Sequence, residues 1–451
     1  MPSTPAPFQL LQQFRQRLLT VFTRRADALF ELIDALLLVA DPRSPVELCT
    51  SPAFRRRFSM VYDALRNGQV DEATARAVLA AAEPEDAVTV GGYAVYAADS
   101  TPAPRPDAPT LPDRGKVYST TLGKPVVGHQ YSWLGRVVAQ GQSWFAPRDV
   151  ERIATASTPA AVAAQQVLRL AATIATGALA VVVVDSGYAK VAFLSVFVGL
   201  APVCVLVRLA QNRVLYGPPP SPVRHPVTGK RLKRGRPPLH GAKFRLKTPP
   251  TPEQQVRVSL GLASVRVSAW SQLHFKALPR LVGRVIRIEF LTAAGQPKYQ
   301  RPLWLFWSGP TTVALIDLCQ MYLLRFGIEH FFRFLKQRLG LALAQVTSLA
   351  STTNWVWTVT FAYVHLRLAR ASLASPARPW DPKARRDPQR ALTPGQVRRA
   401  WAAFSHGLGT PAAAPRPGGK APGRAPGFQP RPRTKFPIVS KTSKALATGT
   451  A

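Results

Sequence analysis

Apolar residues recur at helical spacing from Phe8 to Ala40 and again from Pro52 to Ala82, which predicts a helical N-terminal domain over residues 1–88. Within the second stretch, Val70-Asp71-Glu72 predicts a fresh helix start with Asp71 as its cap. The pattern then changes period. Gly91–Asp99 reads as a strand ending at an acid, a Pro-rich loop follows through Pro112, and Lys116–Thr121 and Tyr131–Gln140 alternate as strands do. Pro159–Thr176 is Ala-rich and helical, with Thr158 as cap and Pro159 at the first helical position. Leu179–Val184 is a strand running into Asp185, a helix is expected over Tyr188–Val198, and Val203–Leu209 is another strand. Strands and helices in this order predict an α/β class, a mixed sheet flanked by helices, over residues 89–209.

Residues 210–310 read as a β-rich insertion. Val256–Lys276, Arg284–Thr292 and Tyr299–Trp307 are strand-like, with Ala294-Gly295-Gln296 as a hairpin turn. Helical patterning resumes over Thr312–Gly340 and Leu349–Leu373, giving a C-terminal helical part at residues 311–374. From residue 375 to 451 the chain is rich in Pro, Gly and Arg; apart from a short helix capped at Thr393-Pro394 it is expected to be disordered and basic.

Two apolar runs, Leu170–Val184 and Val191–Val207, are 15 and 17 residues long. They sit at or below the ~17–25 residues of a membrane span, so buried strands are expected and no membrane segment. The N-terminus carries no secretory pattern, and Cys49, Cys204 and Cys319 are too scattered for a disulfide framework or a zinc site.

Charge changes the picture more than any of this. Lys and Arg number 59 against 23 Asp and Glu, a net charge of +36 over 451 residues, while 47% hydrophobic content still builds a core. Such a balance points to phosphate backbones or an anionic surface. Between Ser186 and Pro252 there are twelve Lys and Arg and no acid. The densest run, Lys230–Lys247, includes Lys230, Arg231, Lys233, Arg234 and Arg236, expected to meet DNA phosphates. Arg15, Arg17, Arg24, Arg25 and Arg55–Arg57 suit either internal packing or phosphates, and the pattern does not choose between them.

With acids so few, the candidates for chemistry are few too. On one helix at about 100° per residue, Tyr322, Arg325, Glu329 and Lys336 fall within an arc of about 60°, with an apolar back opposite. An i,i+4 pair explains Arg325 and Glu329 but not the other two. Glu329 is therefore a candidate functional carboxylate, while Asp317 falls among the apolar positions and reads as a helix-start acid. Asp99 and Asp185 each end an apolar strand, where an acid is costly unless paired or metal-bound, although either could simply cap a turn. Phosphoryl chemistry on two metals ~3.5–4 Å apart needs several such oxygens. His129 reads as a structural histidine, and His330 lies at the edge of the polar face.

These residues resemble a known family. Asp99-Ser-Thr101, the VVVVDSGYAK stretch around Asp185 and Tyr322/Arg325/Glu329/Lys336 are similar to prokaryotic insertion-sequence transposases of the DDE class with the Tyr-Arg-Glu-Lys signature. Val127-Gly-His129, Asn212-Arg213-Val-Leu-Tyr216, GRPPLHG at 235–241 and Arg378-Pro-Trp380 extend the similarity. The resemblance implies a ribonuclease H-like core in which Asp99, Asp185 and Glu329 bind two Mg²⁺ ions, with Mn²⁺ able to substitute. It further implies cleavage at transposon ends and transfer of the freed 3′-hydroxyl into target DNA, with Tyr322, Arg325 and Lys336 gripping phosphates. Trp304 or Trp307 would receive a flipped base. The implied partners are double-stranded DNA, as terminal inverted repeats and target, and a second copy in a synaptic homodimer; the implied location is the prokaryotic nucleoid. An inactive DNA-binding descendant and a nuclease without strand transfer are the alternatives.

Overall fold

The computed structural model describes residues 6–42, 44–84, 87–119, 122–138, 143–200, 202–221, 238–260, 263–373, 392–416, 423, 425–429 and 432–440. In chain order the elements begin with α1 (Ala6–Val21), β1 (Phe22–Arg24), α2 (Ala26–Leu38), α3 (Ser59–Asn67), β2 (Gln69–Val70) and α4 (Glu72–Ala81). Then come β3 (Thr89–Val90), β4 (Tyr93–Pro104), β5 (Gly115–Ser119), β6 (Lys124–Val137), β7 (Phe145–Ile153), α5 (Pro159–Ala171) and β8 (Leu179–Val184). Next are α6 (Val191–Leu194), β9 (Val203–Arg208), β10 (Val214–Tyr216), β11 (Lys243–Arg245), β12 (Gln254–Leu260), β13 (Ala263–Phe275), β14 (Leu278–Leu291) and β15 (Leu303–Trp307). Among the described residues four helices follow: α7 (Leu315–Leu324), α8 (Phe326–Gln337), α9 (Leu349–Ala369) and α10 (Pro394–Ser405). They fall into two compact units, one of Met1–Asp86, Ser100–Thr158 and Gly327–Ala451, the other of Ala87–Asp99 and Pro159–Phe326.

The first unit is built around α9, which is buried on almost every side and packs against α1, α2, α3, α10 and β7. A helix enclosed all round needs no polar face, which is why its sequence shows no amphipathic period. Asn354 Nδ2 donates to the carbonyls of Leu65 and Gly68 at 2.9 and 2.8 Å. Among the described residues no helix is long and apolar enough to cross a membrane. β5, β6 and β7 form an antiparallel ribbon in this unit. The Phe331 ring of α8 is wedged between Phe145 and Tyr363, with centroids 5.1 and 4.7 Å away.

The second unit is a mixed sheet. Its strands run β11-β10-β13-β14-β15-β9-β8-β4, with β12 beside β13 and β3 beside β4. Among the described strands of this unit, β4, β8 and β9 are the parallel ones. β8, with the sequence LAVVVV, is buried from Ala180 to Val184, as a central parallel strand covered on both faces must be. The strands of residues 210–310 extend this same sheet, because β15 pairs antiparallel with β9.

Several expectations hold at the residue level. The Asp71 carboxylate accepts from the Ala73 and Thr74 amides to start α4, Asp317 lies in the first turn of α7, and Thr393 and Gln396 form a full capping box on α10. Others need correction. The stretch Phe8–Ala40 is not one helix: Val21, Phe22 and Thr23 are poor helix formers, β1 pairs with β2, and Arg25 takes a left-handed φ of 57° before α2. The helix expected over Tyr188–Val198 shrinks to the four residues of α6 between two 3₁₀ turns. The strand at Gly91 does not end at Asp99 but continues to Pro104. β7 was not expected, since Pro147 and four charged residues blur its alternation.

The tail, expected to be disordered, is bonded to the rest of the first unit at Gly409, Ala412, Ala413, Phe436 and Val439. Arg55 and Arg56 donate to the Ala413 carbonyl, and Arg15 donates to that of Gly409. Phe436 and Val439 amides donate to Pro109 and Arg114 carbonyls, both at 2.8 Å. The N-terminal arginines left open by the sequence are in part internal: Arg15 pairs with Asp34 at 2.6 Å, Arg55 and Arg56 with Glu31, and Arg25 with Asp63.

Candidate active site

β4 and β8 lie side by side in register, Tyr93 opposite Leu179 and Ala97 opposite Val183. Two residues beyond the last pair come Asp99, within β4 as it runs on to Pro104, and Asp185, just past the end of β8, so parallel pairing puts both carboxylates at the edge where the β4–β8 ladder stops. That edge of an open α/β sheet is where ligands bind.

Each carboxylate has its own support. Asp185 caps the 3₁₀ turn at 186–188, its Oδ1 accepting the Gly187 amide at 2.8 Å. A Cβ at Gly187 would sit 3.1 Å from that oxygen, so glycine permits the close approach. Arg213 braces the same turn by donating to the Ala189 carbonyl at 2.6 Å. Asp99 is half-buried, and the Arg325 guanidinium stands 3.4 Å from its Oδ2. Arg325 is itself only 6% exposed and lies over the Tyr322 and Phe326 rings at 5.7 and 5.4 Å. The buried cation offsets the cost of bringing acids to one strand edge.

The signature helix is not continuous. α7 ends at Leu324 and α8 begins at Phe326, with the Arg325 amide bonded to the Tyr322 carbonyl in a tightened turn. The break is a single residue, Arg325, whose backbone stays in the right-handed helical region at φ −52° and ψ −30°. Tyr322 is buried in the second unit, on α7. Glu329 and Lys336 share α8 in the first unit and, seven residues apart, still share a face. Glu329 is exposed in the first turn and Lys336 half-buried in the last; burial pushes the Lys336 ammonium below its usual value, and an anion beside it would favour the charged form.

The remaining candidates divide. Trp304 and Trp307 are 2% and 0% exposed, and the Trp307 indole donates to the Pro310 carbonyl; in the free chain both are core aromatics of β15. His129 is buried with Nε2 donating to the Pro112 carbonyl at 2.9 Å, a structural histidine as expected. Lys230, Arg231, Lys233, Arg234 and Arg236 lie outside the described residues. Sequence reasoning missed the Asp99–Arg325 pair and the Arg213 brace; Arg213 was visible only as part of the Asn212-Arg213 motif.

Two aspartates from adjacent strands are hard oxygen donors of the kind Mg²⁺ or Mn²⁺ takes, and among the described residues the second Asp185 oxygen is left without a hydrogen bond. Among those same residues no three His, Cys, Asp or Glu side chains are gathered closely enough to hold a metal ion. The donor chemistry of the pair fits such an ion.

Comparison with known proteins follows the aspartates. No curated protein matches the sequence. Among solved structures, the cryo-EM structure of a piggyBac transposase synaptic complex with hairpin DNA is 8% identical, with a TM-score of 0.44 over 94% of this chain and 88% of that one. The sequence model of the family described as DDE superfamily endonuclease matches residues 17–275, more than half of the chain, including Asp99 and Asp185 and stopping short of Glu329. The chain belongs to the DDE superfamily endonucleases.

Proposed function

We propose that the protein is a DNA transposase of insertion-sequence type, cutting at the ends of its element and joining the freed ends to target DNA. The observation that carries this is the β4–β8 register, which sets Asp99 and Asp185 side by side where the β4–β8 pairing stops, in a chain of net charge +36. Glu329 on α8 is the third carboxylate of the set, and Asp99, Asp185 and Glu329 together would hold two Mg²⁺ ions. When bound, such ions polarise the scissile phosphate and lower the pKa of a coordinated water.

This chain's own residues do the rest. Asp185, held by Gly187 and the Arg213-braced turn, and Asp99, held by Arg325, keep fixed positions at the reacting phosphate. Water adds to phosphorus as the bond to the 3′-oxygen breaks, leaving a 3′-hydroxyl and a 5′-phosphate. That hydroxyl then displaces a 3′-oxygen in the target strand. Lys336 grips a flanking phosphate, while Arg325, paired with Asp99, and Tyr322, buried beneath the Arg325 guanidinium, support the site from within. Joining two ends to one target calls for two copies, so the working species is a homodimer on double-stranded DNA.

The test uses the full chain and duplex DNA taken from the flanks of its coding region. Asp185→Asn and Glu329→Gln abolish Mg²⁺-dependent nicking, by at least about a hundredfold, and leave DNA affinity within about twofold of the native value. Nicking that survives either substitution counts against the carboxylate set; loss of binding together with nicking assigns the residue to folding instead.

A further inference from the structure

The ion pairs of the first unit absorb Arg15, Arg25, Arg55 and Arg56 and leave a different chemistry facing outward on α1. Leu11, Phe14 and Leu18 are buried, whereas Gln9, Gln12, Gln13, Gln16, Arg17 and Thr20 are exposed. At about 100° per residue the four glutamines fill an arc of about 100° opposite the apolar stripe. They line, with Arg17, a shallow hollow of about 540 Å³. Among the described residues these four amides make no hydrogen bond, and no acid occurs before Asp27. Arg17 and Arg24 are exposed and outside every ion pair among the described residues.

We propose that this face of α1 reads base edges in the major groove of duplex DNA, with a preference for adenine. The proposal rests on the transposase reading for its partner and deepens it by naming the element that selects the end sequence. A carboxamide offers a donor and an acceptor side by side, the pattern that pairs with N7 and the N6 amino group of adenine. A helix about 10–12 Å across fits a groove about 12 Å wide. From Gln9 to Gln16 the helix rises about 10.5 Å, which is about three base steps. Leu10, 45% exposed at the margin of the same face, suits a thymine methyl. Arg17 and Arg24 neutralise phosphates beside the groove.

The experiment selects bound duplexes from a pool with a randomised centre, using the full chain in magnesium-free buffer. The variant carries Gln12→Ala, Gln13→Ala and Gln16→Ala, exposed positions where alanine favours the helix; an unchanged melting temperature confirms that it folds. The native chain enriches a motif with adjacent A·T pairs. The triple variant loses preference at two or three adjacent positions, about tenfold at each, and keeps the salt slope of its non-specific binding. Arg17→Ala does the converse, lowering that slope by about 0.9 with the motif intact. A triple variant that enriches the same motif as strongly as the native chain overturns the assignment, while nicking of flanking DNA by that variant leaves the transposase reading standing. A native chain that binds no duplex at all overturns both.

Discussion

At the residue scale, the most consequential group outside the carboxylates is His365. Its Nδ1–H donates to the Phe361 carbonyl at 2.8 Å, and the rings of Phe14, Phe30 and Trp401 surround it at 5.1, 6.2 and 6.1 Å. Burial, with the Arg15 guanidinium as a second cause, pushes its pKa down to about 3. In the unfolded chain the imidazole titrates near 6.5, so between about pH 6.5 and 3 the unfolded state binds the extra proton and stability falls as pH falls. The loss is about 1.4 kcal/mol at pH 5.5 and nearly nothing above pH 7.5. Urea unfolding at the two pH values measures it. His365→Phe should remove most of the difference, and a native chain equally stable at both pH values would show that the ring is not buried neutral. The same logic of burial explains what a sequence can say about single residues. Asp99 and Asp185 stand out because acids seldom follow buried strands. Their supports, Arg325 and Arg213, do not stand out, because a guanidinium that reaches a distant carboxylate or carbonyl leaves no trace in local pattern.

At the element scale, the legible parts are those whose signals are local. β8 is read to the residue because a Val run between Gly and Asp has one interpretation. α4 and α10 are placed by their caps. The capping box of α10 has energetic weight, since Val397 and Trp401 are buried against the first unit and α10 packs on α9 and α2. Thr393→Ala removes the acceptor for the Gln396 amide and should cost about 1 kcal/mol, read as a lower urea midpoint; Thr393→Ser should restore most of it, and an unchanged midpoint in the alanine variant would mean that the helix is held by packing alone. The parts that were not legible fail for one shared reason. The breaks at Phe22–Arg25 and at Arg325 leave the hydrophobic period intact, so nothing in the spacing announces them. The first follows from strand pairing with a segment about 45 residues away. The second coincides with Arg325 turning to Asp99, an ion pair spanning 226 residues. Long-range partners decide both, and periodicity is blind to them. For the site, the consequence is that Tyr322 and Arg325 belong to α7 and its C-cap, and Glu329 and Lys336 to α8.

At the scale of the whole molecule, charge is the dominant quantity, and the tail carries part of it with no acid to offset it. No acid follows Asp387, and beyond Arg416 the chain carries seven Lys and Arg. These cations were expected on a free, extended segment. Instead the stretch around Phe436–Val439 is bonded to Pro109 and Arg114, with Val439 bridging to Gly115, so part of the tail is tied down as it delivers its charge. Two truncations separate these functions. A chain ending at Ser440 loses Lys441 and Lys444 but keeps the contacts; its melting temperature should be unchanged and its salt slope on non-specific duplex lower by at most about 1.8. A chain ending at Arg416 loses all seven cations and the contacts as well. Its slope should fall by up to about 6 if every cation meets a phosphate, and its melting temperature should fall because the Arg114 guanidinium and the Pro109 carbonyl lose their partners. Anisotropy titrations across a salt series measure the slopes, and thermal unfolding the stability. If the slope at Arg416 matches that of the intact chain, the tail's charge does not reach DNA, and the excess of base over acid must act through the rest of the surface. If the slope falls while the melting temperature holds, the tail is a DNA-binding arm whose contacts with the first unit carry no stability of their own.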